Sequence, residues 1–152
     1  MDIHIRLGAP ADALIIAEFN AAMAQETEAL ILDQDTLLKG VAAILSDPSK
    51  GLYYIAEVEG QIAGQLMITY EWSDWRNATF WWIQSVYVCP EFRQQGVFTA
   101  LYRYIEQLAQ SKSDICGLRL YVEQANVRAQ KTYTALGMSS SHYLMMEVVS
   151  RL

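Results

Sequence analysis

The chain has 152 residues, of which 53% are hydrophobic and 18% are charged, and its formal net charge is −6. This length and apolar content predict a single globular domain, 1–152, and exclude an intrinsically disordered chain. The acidic balance excludes a nucleic-acid partner held by bulk charge, and no apolar run approaches the roughly 18 residues of a membrane span.

The first half of the chain predicts strands and helices from the spacing of its apolar residues. In chain order the predicted elements are a strand around Ile3 and Ile5, a helix opened by Pro10 and Asp12, a helix over 35–45, and strands over 52–58 and 61–70. Asp47-Pro48 ends the second helix, because the residue before proline disfavours helical backbone. Glu59-Gly60 has the composition of a hairpin turn between the last two strands.

The second half predicts alternating strands and helices. The predicted elements are a strand over 79–88, a helix that begins at Gly96, a strand over 115–122, a helix over 126–136 and a last strand over 143–149. Cys89-Pro90 ends the first of these strands, because proline lacks the N–H that a sheet needs. Gly137 closes the last helix. The order predicts a mixed α/β sheet, antiparallel in its first half, with a right-handed parallel crossover between 79 and 122.

The segment between the strand over 79–88 and the next helix has the features of an anion-binding loop. The first N–H groups of a helix have no partner inside it and lie at its positive end. The residues that would present them are Gln95, Gly96, Val97, Phe98 and Thr99. Gly96 lets the main chain approach a bulky anion, and Arg93 adds a positive charge beside it. This predicts a pyrophosphate cradle; the alternative is an ordinary helix start with one glycine in a surface turn.

A second segment, 120–138, has the pattern of a strand, an N-capped helix and a glycine stop. With the loop, it resembles the GNAT superfamily of acyl-CoA-dependent N-acyltransferases. The Arg93-x-x-Gly96 loop is similar to the cofactor motif of that family. The residues that match the following motif are Asn126, Ala129, Tyr133 and Gly137-Met138. The resemblance implies an α/β (α+β) fold with a mixed, largely antiparallel central sheet and helices on both faces.

The same resemblance implies acetyl-CoA as the acyl donor, and we expect no metal. Val86, Tyr87 and Val88 correspond to the strand whose main chain pairs with the pantetheine arm and offers an amide to the thioester oxygen. Gln94 and residues 95–99 correspond to the pyrophosphate loop. The loop motif usually has Gly or Ala where this chain has Phe98, which main-chain donors tolerate if the ring turns away from the anion.

Two residues of the helix over 126–136 receive roles from the resemblance. Asn126 corresponds to the residue that hydrogen-bonds the cofactor arm, and asparagine is also a favoured N-cap. Tyr133 corresponds to the general acid near the sulfur, and its alternative is a core tyrosine with a satisfied hydroxyl. The two lie two helical turns apart and so point to roughly one face.

Polar and aromatic residues of the central strands are candidates for binding the acceptor amine. Gln84 occupies a position where many relatives place a carboxylate, and since an amide is no base we expect deprotonation through ordered water. Candidate carboxylates, each with the alternative of a solvated surface group, are Glu71, Asp74, Glu26 and Glu28. Trp72 and Trp82 belong to an aromatic cluster that predicts either an ammonium-binding wall or core and subunit interface. Strand alternation sends Trp82 and Gln84 to one face, and Trp81 and Tyr87 to the other.

We therefore predict an N-acetyltransferase that acetylates a primary amine of a small molecule by direct attack in a ternary complex. A polyamine, an amino-acid derivative or an aminoglycoside-like compound would suit acidic, aromatic surroundings. The alternatives are a non-catalytic acyl-CoA-binding sensor and an acetyltransferase that acts on a peptide or protein amine.

The remaining expectations concern the redox state of the cysteines, the location of the protein and its oligomeric state. Two cysteines cannot form a disulfide framework, so we expect a reduced, cytoplasmic protein with no membrane partner. Cys89 is interpreted as structural, because nothing in the sequence lowers its pKa. The excess of aromatic residues suits a homodimer.

Overall fold

A mixed sheet runs through the first part of the chain in the computed structural model, which describes residues 1–150. Within these residues the strands are β1 (Ile3–Leu7), β2 (Leu52–Val58), β3 (Gln61–Ser73), β4 (Ala78–Val88) and β5 (Ile115–Leu120). They lie side by side in chain order, antiparallel from β1 to β4, with β5 parallel to β4. The predicted mixed, largely antiparallel sheet is confirmed.

Helices cover both faces of this sheet, as expected. The helices are α1 (Ala13–Glu28), α2 (Gln34–Ser46), α3 (Val97–Gln110) and α4 (Val127–Ala135). α1 and α2 pack on the face that carries Tyr53, in one buried cluster with Ile16 and Val41. α3 packs on the opposite face, where the Tyr104 ring lies 5.7 Å from that of Tyr54.

The chain divides into two compact units, Met1–Tyr121 and a unit that begins at Val122 and contains α4. The prediction of one domain over 1–152 stays a prediction. Among residues 1–150, no helix combines the length and the apolar composition needed to span a bilayer.

The predicted boundaries agree closely with the observed ones where the signal is local. β2 has the predicted bounds, and the turn after it has Glu59 and Gly60 at φ 50° and 78°, as a two-residue hairpin turn requires. Asp33 caps α2 by accepting a hydrogen bond from Thr36 N at 2.9 Å. β3 runs on to Ser73 rather than ending at residue 70, because its pairing with β4 continues to Ser73, which lies opposite Ala78.

The predicted last strand over 143–149 is wrong, because no strand is formed there among residues 1–150. Its apolar side chains are exposed, Val148 to 95%. Alternation and β-branched residues supply strand propensity, but a strand forms only where a neighbouring backbone supplies hydrogen bonds and a surface to pack on.

A β-bulge at Ser85 interrupts the alternation of β4. Ser85 has φ 50°, in the left-handed region, and the register between β3 and β4 shifts at this level. The extra residue places Tyr87 on the same face as Gln84, where its ring lies 5.1 Å from Phe19 of α1. The prediction that Tyr87 shares a face with Trp81 is therefore wrong, because it assumed an uninterrupted strand.

Candidate active site

The loop between β4 and α3 turns through two left-handed residues. A 3-10 turn at Pro90–Phe92 follows β4, and Gln94 and Gly96 then have φ 61° and 82°. Residues 93–96 are exposed. A left-handed residue next to a right-handed one turns successive N–H groups toward one concave surface, a geometry that binds anions.

Gly96 opens the amino end of α3 to solvent. A Cβ added to Gly96 would meet no atom within 4 Å, so the space in front of the helix is open. The first main-chain bond inside α3 runs from Ala100 N to Gly96 O at 3.0 Å, which places the positive end of the helix dipole at this loop. The Phe98 ring packs along the flank of α3, 6.2 Å from the ring of Tyr102.

β4 has an unpaired edge next to this loop. Its ladder with β5 ends at the pair Ile83–Leu120, within the strands that the structure describes. Beyond that pair the β4 segment 84–88 continues with no β5 residue in register. Such an edge offers main-chain donors and acceptors to an extended ligand.

Arg93 joins the loop to α1. Its Nε donates to Val88 O at 2.8 Å, and its guanidinium is ion-paired with Glu26 at 2.9 Å. Tyr87 Oη donates to the other oxygen of Glu26 at 3.3 Å. Burial, with the Glu26 carboxylate nearby, raises the pKa of Tyr87. The predicted positive charge thus lies beside the loop, but part of it is offset by a carboxylate that sequence spacing does not indicate.

Glu71 and Trp82 lie together on one face of the sheet. The Trp82 Nε1 donates to Glu71 Oε1 at 2.8 Å, and Arg119 donates to the same carboxylate at 2.9 and 3.1 Å. Arg119 also lies over the Phe80 ring, 3.7 Å from its centroid, and Tyr121 packs 4.5 Å from Trp82. The hydrogen bond from Trp82 and the contact with Arg119 hold the pKa of Glu71 below its ordinary value. Glu71 is therefore an ionised carboxylate whose charge Arg119 already balances.

Gln84 joins this group, whereas Trp72 does not. Gln84 Nε2 donates to Thr69 Oγ1 at 2.5 Å, and Thr69 pairs with Trp82 across the two strands. Trp72 follows Glu71 directly in β3, so the pleat turns it to the opposite face, where it is 61% exposed. The structure thus brings Glu71, Trp82 and Gln84 together on one face of the sheet and turns Trp72 to the other.

A buried polar network joins α1 to the bulge of β4, and the sequence reasoning missed it. Asn20 Nδ2 donates to Tyr53 Oη at 3.0 Å. Gln65 Nε2 donates to Asn20 Oδ1 at 2.9 Å and to Ser85 O at 3.1 Å. Gln65 is fully buried, and no hydrogen-bond partner of its Oε1 occurs among residues 1–150. The sequence signals for it are Asn20 among the apolar residues of α1 and Gln65 among those of β3, because a polar amide is unusual in such surroundings.

A cavity of about 270 Å³ borders this network. The residues that line it are Asn20, Leu37, Gly40, Val41, Ile44, Tyr53, Met67 and Thr69. Tyr53 and Val41 are buried, whereas Gly40 is exposed, so the cavity opens beside Gly40 between α2 and the sheet. Its wall at Thr69 is hydrogen-bonded to Gln84.

In the second unit, α4 carries Asn126 and Tyr133. Asn126 is the N-cap, as predicted, with Oδ1 accepting from Ala129 N at 3.1 Å. Gly137, at φ 105°, ends the helix, and Met138 N donates to Tyr133 O at 3.0 Å, which confirms the glycine stop. Burial raises the pKa of Tyr133, so its phenol keeps its proton at neutral pH.

Cys89 has the surroundings of a structural cysteine. Its Sγ lies 3.7 Å from Ile62 O, and burial raises the pKa of its thiol. A raised pKa leaves less thiolate at neutral pH, and the thiolate is the nucleophilic form. This agrees with the interpretation from the sequence.

Comparison with protein families places these features in one known group. The model of the acetyltransferase (GNAT) family matches residues 16–138. The matched span begins within α1 and includes β4, the loop before α3 and the whole of α4.

Individual relatives agree with this match. Thialysine N-epsilon-acetyltransferase of Bos taurus is 32% identical over 99 residues, which are 64% of this chain and 52% of that protein, so the chain spans about half the length of this relative. A solved structure of a possible acetyltransferase from Clostridium difficile 630 is 45% identical, with a TM-score of 0.93 and 99% of both chains covered. A predicted acetyltransferase from Clostridium acetobutylicum, solved with acetyl-CoA, has the same fold, with 16% identity, a TM-score of 0.76 and 96% of each chain covered.

Proposed function

Because the chain belongs to the GNAT family of acetyltransferases and is an enzyme of that class, we propose that it acetylates a primary amine of a small molecule from acetyl-CoA. The loop before α3 is the observation that carries this proposal. The amino end of α3 is open at Gly96 and has Arg93 alongside, which suits a diphosphate. Helix N-termini commonly bind nucleotide cofactors through this group. The C. acetobutylicum relative was solved with this donor, which supports the same choice here.

Two parts of the first unit fit such a donor. Gln94 and residues 95–99 would hold the diphosphate through main-chain N–H groups, with Phe98 packed along the helix flank and out of the way. Val86, Tyr87 and Val88 lie on the β4 edge that has no β5 residue in register, where an extended arm can pair with the main chain. In the second unit, we assign Asn126 the contact with the cofactor arm.

In this proposal, only a few groups of the protein take part in acetyl transfer. The bound donor supplies an activated acetyl group. An N–H of the segment 86–88 aimed at the carbonyl oxygen, as that oxygen gains charge, would lower the barrier by about 3 kcal/mol. Tyr133, protonated at neutral pH, would protonate the leaving sulfur, which is worth on the order of 100-fold.

The acceptor must first lose a proton, since an alkylamine has a pKa of about 10.4. Gln84 cannot accept that proton, because its amide is not basic, and Glu71 is already balanced by Arg119. We therefore assign deprotonation to water at the acceptor end, near Gln84 and Trp82.

The proposal is tested by thiol release from acetyl-CoA with a panel of primary amines, which includes an N-terminal and a lysyl peptide amine. Amine-dependent release is the expected result, with calorimetric binding of coenzyme A by the same preparation. Tight binding of coenzyme A without turnover of any amine would instead identify a non-catalytic acyl-CoA module. Turnover of the peptides alone would move the acceptor to protein amines. No binding at millimolar coenzyme A would overturn the proposal.

Replacing Glu26 by glutamine should strengthen the binding of coenzyme A. Glu26 holds the guanidinium of Arg93 at 2.9 Å, and the substitution frees that charge for the diphosphate. Exposed ion pairs are worth roughly 0.2–1 kcal/mol, which corresponds to an expected fall in Kd of up to about fivefold. Calorimetry at low ionic strength measures it, with Glu18→Gln, also exposed on α1, as the control for lost negative charge. Equal gains in both variants would mean that only net charge matters.

A further inference from the structure

We infer that the acceptor is a primary amine attached to an uncharged, largely apolar group, which the cavity between α2 and the sheet receives. This inference rests on the proposed function and names the class of its acceptor. It differs from the polyamine or aminoglycoside that the net charge of −6 favours, because the cavity rather than the whole surface makes the contact.

Among the residues that the structure describes, no charged side chain lines the cavity. Leu37, Val41, Ile44 and Met67 supply most of its wall, and the other lining residues are a glycine and neutral polar residues. An ammonium group placed among these side chains would lose part of its hydration without gaining a charged partner from the described lining. This space therefore disfavours a second positive charge on the acceptor.

The polar atoms of the lining are also largely occupied. Asn20 donates to Tyr53 Oη and accepts from Gln65, at 3.0 and 2.9 Å. Thr69 Oγ1 accepts from Gln84 Nε2. Groups that already bond to one another offer little to a polar ligand, so the part of the acceptor bound here gains chiefly from burial of carbon.

The position of the cavity connects it to the reaction. Its wall at Thr69 touches Gln84, and its floor at Asn20 and Tyr53 is joined through Gln65 to the carbonyl of Ser85. Ser85 directly precedes the segment 86–88 to which we assign the thioester contact. An apolar group in the cavity thus leaves its amine beside Gln84, where no carboxylate is needed to hold it.

The size of the cavity limits the group. An engineered cavity of about 150 Å³ binds benzene, so the 270 Å³ found here admits a somewhat larger group, such as a six-carbon chain. Hexylamine and 1,6-diaminohexane form a matched pair, since they have the same chain and differ by one terminal ammonium. We expect kcat/KM for hexylamine to be at least tenfold higher, measured by thiol release from acetyl-CoA.

Gly40 allows the cavity to be filled without disturbing the core. It lies at the exposed mouth, and a Cβ added there would meet no atom within 4 Å. Gly40→Leu should fold at least as stably as wild type, because leucine favours a helix more than glycine does. It should lower kcat/KM for hexylamine at least tenfold more than for propylamine, whose short chain does not reach the filled space. Ala42→Leu is the control, since it places a leucine at an exposed position of α2 that is not among the lining residues of the cavity.

The outcomes separate this inference from the proposed function. Preference for diaminohexane, or equal losses for hexylamine and propylamine in Gly40→Leu, would overturn the assignment of the cavity and leave the acetyltransferase proposal intact. Turnover of peptide amines but not of hexylamine would also overturn the assignment of the cavity, and it would move the acceptor from small molecules to protein amines. A chain that fails to bind coenzyme A by calorimetry, or binds it and turns over no amine, would overturn both.

Discussion

Tyr133→Phe is expected to lower kcat about 100-fold while leaving the Kd of coenzyme A close to the wild-type value. The substitution removes one hydroxyl and keeps the ring, so packing of α4 should be preserved. A tyrosine phenol is protonated at neutral pH even at its ordinary pKa, and burial raises the pKa of Tyr133 further, so a proton is available for the leaving sulfur. Steady-state kinetics with acetyl-CoA and the preferred amine measure kcat, and calorimetry measures Kd.

The pH dependence of kcat gives a second test of the same substitution. A proton donor whose pKa is raised loses its proton only as the pH rises through that raised value, so wild-type kcat should fall above about pH 10. The Tyr133→Phe variant should lack this falling limb. Tyr143→Phe, at a 64% exposed position of the same unit, is the control and should keep both kcat and the limb. Unaltered kcat in Tyr133→Phe would remove this residue as the acid.

Gly96→Asp is expected to raise the Kd of coenzyme A about 100-fold or more. At φ 82° a residue with a Cβ is strained by roughly 1–2 kcal/mol, and relief of that strain would move the loop. The new carboxylate would also stand at the positive end of α3, where the diphosphate is expected to bind. Each 1.4 kcal/mol is tenfold in affinity, so the two effects together reach about this size. Calorimetry checks it.

A matched glycine elsewhere controls for strain and charge. Gly60, in the turn between β2 and β3, has φ 78°, and a Cβ there would also meet no atom within 4 Å. Gly60→Asp should therefore cost similar stability, measured by Tm, and change Kd less than threefold. A wild-type Kd for Gly96→Asp would place the donor away from this loop.

Elements with a local signal could be predicted closely. β2 was bounded correctly because residues 52–58 are apolar and β-rich and end at the dipeptide Glu59-Gly60. Asn126 and Gly137 mark the two ends of α4 because capping depends on residues within one turn of the helix end. The left-handed conformation of Gly96 belongs to the same class of signal.

Features that depend on partners far along the chain could not be predicted. Residues 143–149 alternate like a strand, but strand formation needs another backbone, which no local pattern supplies. Tyr87 was assigned to the wrong face because the bulge at Ser85 follows from pairing with β3, not from the residues of β4. Glu26 was one of four candidate carboxylates, and only the fold identified it as the partner of Arg93.

The acceptor site also combines features with a local sequence signal and features that depend on distant parts of the chain. Trp72 and Trp82 looked equivalent in the sequence, but the register of β3 and β4 puts Trp82 beside Glu71 and turns Trp72 away. Gln65 and Asn20 carry no motif, and their meeting requires α1 to pack across β3.

The amino-acid sequence alone determined the family, the order of the main elements and the loop that turns into α3, because these depend on main-chain preferences and motifs that extend over a few residues. Only the tertiary structure decided which carboxylate faces Arg93, which aromatic residues share a face with Gln84, and that a largely apolar cavity lies beside it. The physical reason is that such contacts arise from strand register and helix packing, which bring together side chains that have no local influence on one another.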